Sequence, residues 1–322
     1  NVADATCLVP NDRGSREAIQ TIPATADLSL KFEVLDGISG NVLITESDAE
    51  DSQDVRISIQ MRATSTQLLE QLEQRVSRFN EPVTNNGYFS VVHIHDRNGE
   101  DMKKKLLHKN CARADIVIVY PRSSPGTGKL QVLVGNGELT VKMKPLANNG
   151  TMSSSGTMHP GTLASFEEVD LELMNGGINI ENLVASRRLH AGVFNGYIHG
   201  HVHSAGKITA RTMNGQIQLT VDTELLRPDW NPYDLTVAAE TLSGEIALDL
   251  VRRFAGHFKI STTIGTPTIN QSNNNTDILK YSRQHSKILS GWISADGSEP
   301  SNSTPRLDLE TVNGAITLKF GA

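Results

Sequence analysis

The stretch Asn195-Gly196-Tyr197-Ile198-His199-Gly200-His201-Val202-His203-Ser204-Ala205-Gly206-Lys207-Ile208-Thr209-Ala210-Arg211-Thr212-Met213-Asn214-Gly215-Gln216-Ile217 decides the fold. It holds three copies of one unit: a small or polar residue, Gly, any residue, then Ile. The unit recurs at Asn136-Gly137-Glu138-Leu139, Asn175-Gly176-Gly177-Ile178, Ser243-Gly244-Glu245-Ile246 and Asn313-Gly314-Ala315-Ile316, with a weaker copy at Ile264-Gly265-Thr266-Pro267. The glycines at 137, 176, 196, 206, 215, 244, 265 and 314 are separated by 39, 20, 10, 9, 29, 21 and 49 residues, all near multiples of ten. Such spacing marks a repeated structural unit. About ten residues hold one strand and a turn, so two units make a rung of about twenty residues with a sheet on each side. Asn-Gly supplies the positive backbone torsions of a tight corner, and the following Ile or Leu points inward. A meander of Asn-Gly hairpins repeats at nearly the same length. The fixed order of polar residue, Gly and aliphatic favours rungs stacked in parallel.

Outward from this region, residues 129–320 carry the regular repeats and the earlier chain carries strand alternation. Leu28, Leu30, Phe32 and Val34 share one face, Val42 and Ile44 follow a turn at 37–40, and Val55, Ile57 and Ile59 repeat the pattern. Tyr88 to His95 and Ala114 to Tyr120 read as further strands. A helix is expected over 66–79, where Leu68, Leu69, Leu72, Val76 and Phe79 recur at helical spacing, Thr64 and Gln67 fit a capping box, and Pro82 follows. Residues 101–109 are charged and fit a short helix. Residues 1–26 lack a period and read as an extended arm. The expected architecture is all-β: a right-handed single-stranded β-helix or two-sheeted β-solenoid over 27–322, whose strand-rich N-terminal part carries one α-helix. Its sheet edges need caps, for which the arm, the helix and residues 270–286 are candidates.

The chain has 322 residues, 26 of them Gly, with 5% aromatic and 20% charged residues and a formal charge of −6. That acidity excludes duplex nucleic acid, whose binders draw affinity from clustered cations. No apolar run reaches the roughly 18 residues that span a bilayer. The first residues show neither an initiator Met nor a signal segment, so the numbering is expected to begin after a processed or omitted piece. Cys7 and Cys111 are too few for a disulfide framework and allow one long-range bridge. Sequons for N-glycosylation stand at Asn149, Asn270, Asn274 and Asn302, about as many as composition gives by chance.

Residues Ala114-Asp115-Ile116-Val117-Ile118-Val119-Tyr120-Pro121, then Leu130-Gln131-Val132-Leu133-Val134-Gly135-Asn136-Gly137-Glu138-Leu139, then the Asn/Ser-Gly series carry a family likeness. From about 115 to 318 the chain resembles the adhesin-like β-solenoid domains of unknown function found in bacteria and fungi. The resemblance implies a single-stranded right-handed β-helix or β-roll and a role in adhesion. The family offers no catalytic residues to carry over, and a helix near 66–79 is outside its pattern.

Chemistry is concentrated in few places. With Ile198 and Val202 inward, His199, His201 and His203 project from one outer face, a spacing that suits a divalent metal if another ligand converges. A twenty-residue rung places Glu181 beside His201 as that ligand, and Thr220 on its other side; a solvated polar ladder is the alternative. His93 and His95 have the same spacing. On the opposite sheet Arg187, Arg188, His190, Lys207 and Arg211 would cluster outward as a site for acidic groups of a glycan, or form a charged face balanced by Asp and Glu. Trp230, in a Pro-bounded loop, offers a stacking surface for a sugar ring or a partner, or covers a strand end. The carboxylates Asp170, Glu172, Glu181, Glu240 and Glu245 form no decisive pair for hydrolysis. The reading is therefore a non-catalytic, adhesin-like binding or structural protein of a cell surface or extracellular matrix, without an obligatory cofactor. It would meet a glycan, a protein surface or further copies of itself through its ends. A polysaccharide hydrolase or lyase on a β-helix and an intracellular, cytoplasmic scaffold are the alternatives.

Overall fold

The computed structural model describes residues 15–24, 28–47, 53–67, 69–70, 72, 84–85, 88–94, 112–121, 127–144, 165–204, 206–222, 235–251, 254–272, 277–301 and 305–321. It is all-β. The chain forms two compact units, residues 1–164 and 165–322.

The first unit contains β1 (Ser15–Pro23), β2 (Ser29–Ser39), β3 (Val42–Glu46), β4 (Asp54–Ala63), β5 (Thr84–Asn85), β6 (Tyr88–Ile94), β7 (Ala112–Tyr120) and β8 (Thr127–Lys142). β2 lies parallel between β6 and β8, with Leu30 opposite Phe89 and Leu130. Past the corner at Gly40 and Gly137, β3 lies parallel between β7 and β8. β4 then runs antiparallel to β7, and β1 antiparallel to β4. Alternate residues of these strands, among them Leu30, Phe32, Val34, Ile44, Val55, Ile57, Ile118 and Val132, are fully buried, as their period of two requires.

Within the expected extended arm, residues 15–23 form a strand paired residue for residue, from Ser15 with Arg62 to Pro23 with Asp54. The polar alternation Arg16, Glu17, Gln20, Thr21 hid it, because an outer strand buries little of either face. Of the expected helix, residues 66, 67, 69, 70 and 72 have helical backbone. The Leu69 amide donates to the Ser65 carbonyl at 3.0 Å, and Leu69 and Leu72 are buried. The remainder of 66–79, the segment 101–109 and Cys7 and Cys111 lie outside the described residues.

The second unit contains β9 (Ser165–His203), β10 (Lys207–Asn214), β11 (Ile217–Asp222), β12 (Thr236–Ser243), β13 (Ile246–Leu250), β14 (Gly256–Ile264), β15 (Pro267–Gln271), β16 (Ile278–His285), β17 (Ile288–Ser294), β18 (Arg306–Asn313) and β19 (Ile316–Phe320). β9 turns two corners, at Gly176 and Gly196, and so contributes to both ladders. One ladder runs β9, β10, β12, β18, β14, and the other β9, β11, β13, β19, β15; every neighbouring pair is parallel. Identical inward positions therefore stack: Ile198, Ile217, Ile246 and Ile316 form one buried column, and Leu189, Ile208, Val237, Leu307 and Phe258 another. Each such side chain contributes about 1.5–3 kcal/mol by leaving water.

Among the described strands of this unit, rung order departs from chain order at one place. The last strands, β18 and β19, insert between the rung of β12–β13 and that of β14–β15. The 49-residue interval before Gly314 is thus an excursion and return, not a whole number of stacked rungs. Within it β16 and β17 form an antiparallel hairpin, and β17 pairs antiparallel with β14 from Gly256 with Ile293 to Ser261 with Ile288. Of the expected cap at 270–286, Asn270 and Gln271 end β15 and residues 278–285 are the first strand of this hairpin.

The corners explain the repeat. Gly176, Gly196, Gly215, Gly244, Gly314 and Gly265 all have φ between 136° and 157°, and each successive carbonyl sits where a neighbour's Cβ would be. A threonine three positions before four of these glycines adds a second lock: Thr212, Thr241, Thr311 and Thr262 are buried and donate from Oγ1 to the carbonyls of Gly196, Gly215, Gly244 and Gly314, at 3.0–3.3 Å. Asparagines form a third, since Asn195 donates to Asn175 Oδ1 at 2.9 Å and Asn214 to Asn195 Oδ1 at 2.8 Å.

Candidate functional site

The end of β9 carries the histidines. Ile198 and Val202 are fully buried, so His199, His201 and His203 leave the opposite face of the strand. Parallel pairing with β11 sets Gln218 against His199, Thr220 against His201 and Asp222 against His203. The three imidazoles are not equivalent. His199 lies against the Tyr197 ring, with centroids 4.6 Å apart, and its Nε2 meets the Gln216 amide. His201 and His203 have ring centroids 4.5 Å apart, and His203 Nδ1 is 3.9 Å from Asp222 Oδ2.

His203 is 5% exposed. Burial is the largest influence on its titration and, with the His201 charge, holds its pKa below the usual histidine range against the pull of Asp222. One potential ligand atom from each of His201, His203 and Asp222 lies within 4.8 Å of the others. Glu181, expected as the extra ligand, is outside this cluster, as is His199. Asp222 was invisible to the rung arithmetic applied to His201, which singled out residues 181 and 220. The same arithmetic applied to His203 finds it.

On the other ladder, register places Arg188 beside Lys207, with both exposed. Arg211 is opposite Gly192 and Glu240, and its guanidinium lies 3.1 Å from the Glu240 carboxylate. Arg187 reaches Glu167 at 3.0 Å and Glu168 at 3.6 Å. Of the five expected cations, Arg187 and Arg211 are matched by carboxylates a rung away. His190 gathers instead with Asp170 and Glu172, its Nε2 being 3.9 Å from Glu172 Oε1. Trp230, Asn149, Asn274 and Asn302 lie outside the described residues; Asn270 is an exposed residue of β15, opposite Lys319.

The feature that sequence reading missed is an apolar row. The residue before each corner polar position points outward, and in-register stacking aligns Phe194, Met213, Leu242 and Val312, while Met174 occupies the same place before Asn175. They are 53% (Met174), 48% (Phe194), 40% (Met213), 50% (Leu242) and 41% (Val312) exposed. The signal was present as a large apolar residue immediately before Asn-Gly or Ser-Gly, in a position that alternation assigns to solvent.

No family model and no curated protein matches the chain. Among solved structures it is similar to a candidate cell adhesion protein from Clostridium sporogenes, at 11% identity and a TM-score of 0.30, over 95% of this chain and all of that one. It is also similar to a candidate adhesin from Bacteroides fragilis, at 12% identity and a TM-score of 0.41, over 96% and 97% of the two chains. At these values the likenesses carry no argument, and function rests on the chain's own geometry.

Proposed function

We propose that residues 165–320 are a two-sheeted β-solenoid with a non-catalytic, adhesin-like binding role at a cell surface or in an extracellular matrix. The observation that carries this reading is the exposed row of Met174, Phe194, Met213, Leu242 and Val312. Neighbouring strands lie about 4.8 Å apart, so five rungs set these side chains along roughly 20 Å of a rigid surface. Apolar side chains aligned in this way on a soluble surface mark a contact site more often than chance exposure does. Four of the five are aliphatic or thioether, which suits a protein surface; a glycan site would use a platform of aromatic rings. Asn-Gly corners and threonine locks hold the row without mobile loops, so little ordering entropy is lost on contact.

The test uses beads coated with the purified chain, offered to plates carrying matrix proteins or polysaccharides. Adhesion to the protein-coated plates is expected, and Phe194→Ser/Leu242→Ser is expected to abolish it while leaving the melting temperature unchanged. Adhesion that survives the double substitution would remove this reading, and release of new reducing ends from a polysaccharide would replace it with an enzyme.

A further inference from the structure

The geometry points to a divalent-metal site of the zinc type at the end of β9 and β11, built from His201, His203 and Asp222. Three observations converge on it. The ligand atoms of the three side chains lie within 4.8 Å of one another. His201 Nε2 and His203 Nδ1 are both buried and have no hydrogen-bond partner. His203 as a whole is 5% exposed, and its Cα partner in the ladder is Asp222 itself, so the strand pairing holds donor and carboxylate together.

Two buried imidazole nitrogens without partners, facing a carboxylate, are an arrangement native proteins seldom leave unmet. A cation meets all three at once. Imidazole nitrogens with one carboxylate select zinc and the neighbouring late first-row ions over calcium or magnesium, which take oxygen ligands. Bonds of about 2.0–2.2 Å place tetrahedral ligand atoms about 3.4 Å apart, closer than the 3.9 Å between His203 Nδ1 and Asp222 Oδ2, so binding draws the side chains slightly inward. Three protein ligands leave the fourth position for water or for a donor from a partner. His199 is excluded by its own engagement with Tyr197 and Gln216. The site is independent of the apolar row, which lies on the other ladder.

The experiment is a titration of the untagged full chain, stripped with a chelator, by zinc chloride in competition with a chromophoric indicator. One zinc per chain is expected. His201→Ala, His203→Gln and Asp222→Asn should each weaken it by at least about tenfold, and His199→Ala should leave it unchanged. Circular dichroism of each variant guards against loss of fold; if His203→Gln unfolds, the more accessible His201→Ala carries the test. Cobalt substitution adds a second readout, a visible absorption band lost in the same variants. Failure of the intact chain to bind zinc stoichiometrically, or equal weakening by His199→Ala and His201→Ala, would overturn the assignment.

Discussion

Replacing Gly215 with Ala probes the corner stack at its tightest point. Gly215 has φ +150°, and a Cβ there would lie 1.6 Å from the Gly196 carbonyl oxygen and 2.6 Å from its carbon. Both atoms are backbone, so the two rungs must part by about 1.4 Å to bring the closest contact to 3.0 Å. The conformational strain costs about 1–3 kcal/mol and the overpacking about 1–3 kcal/mol, together about 2–6 kcal/mol. For a unit of this size each kcal/mol moves the midpoint by about 2–4 °C, giving a fall between about 4 and 24 °C. Gly192→Ala is the matched control: its Cβ would meet nothing nearer than His190 Nε2 at 3.4 Å and Glu172 Cγ at 3.8 Å. That substitution should be neutral or stabilising by about 0.4–1 kcal/mol, because it restricts the unfolded chain. Both tryptophans, Trp230 and Trp292, belong to residues 165–322, so their fluorescence during thermal unfolding follows this unit. Equal melting temperatures for the two variants would refute the argument that glycine is required by carbonyl stacking at the corners.

Two further predictions concern side chains. Asn195→Ala removes both the bond given to Asn175 and the bond accepted from Asn214, and should cost about 1–2 kcal/mol in urea unfolding; Asn195→Asp, which keeps the acceptor, should cost less. Asp296 accepts hydrogen bonds from the Ser298 hydroxyl and amide, at 2.6 and 2.9 Å, and these hold its carboxyl below the usual carboxylate range. Its folded pKa being depressed, what it contributes is present above the unfolded value and lost as pH falls through the folded one. Carbon-detected NMR titration should find a low midpoint for Asp296 that rises in Ser298→Ala.

Much of this was readable in advance because period and chemistry agree. The alternation at Leu30, Phe32 and Val34 and the Asn-Gly-x-Ile units place core and corners correctly, and the offset of 19 between His201 and Thr220 is the register found. What sequence could not order is the stacking sequence of rungs. Inward columns of Ile and Leu are interchangeable, so nothing local tells β18 to settle beside β12 rather than β14 alone. The threonine three residues before Gly215, Gly244, Gly265 and Gly314 was legible as a pattern, yet its meaning, a bond to the next rung's carbonyl, needs the third dimension. Likewise the balancing of Arg187 and Arg211 by Glu167 and Glu240 on adjacent rungs depends on register and could not be assigned pair by pair from sequence.

The central claim is that segments 165–222, 235–251 and 306–320 pair in parallel, not as Asn-Gly hairpins. Nitroxide labels attached to cysteine pairs in a Cys7→Ser/Cys111→Ser background separate the two arrangements by dipolar broadening. Thr209 and Ala238 are register partners and should sit within about one strand spacing. Thr209 and Thr220 would face each other across a hairpin through Asn214-Gly215 but belong to different ladders here. Strong broadening for 209/238 with far weaker broadening for 209/220 is the predicted outcome; the reverse pattern would contradict the account.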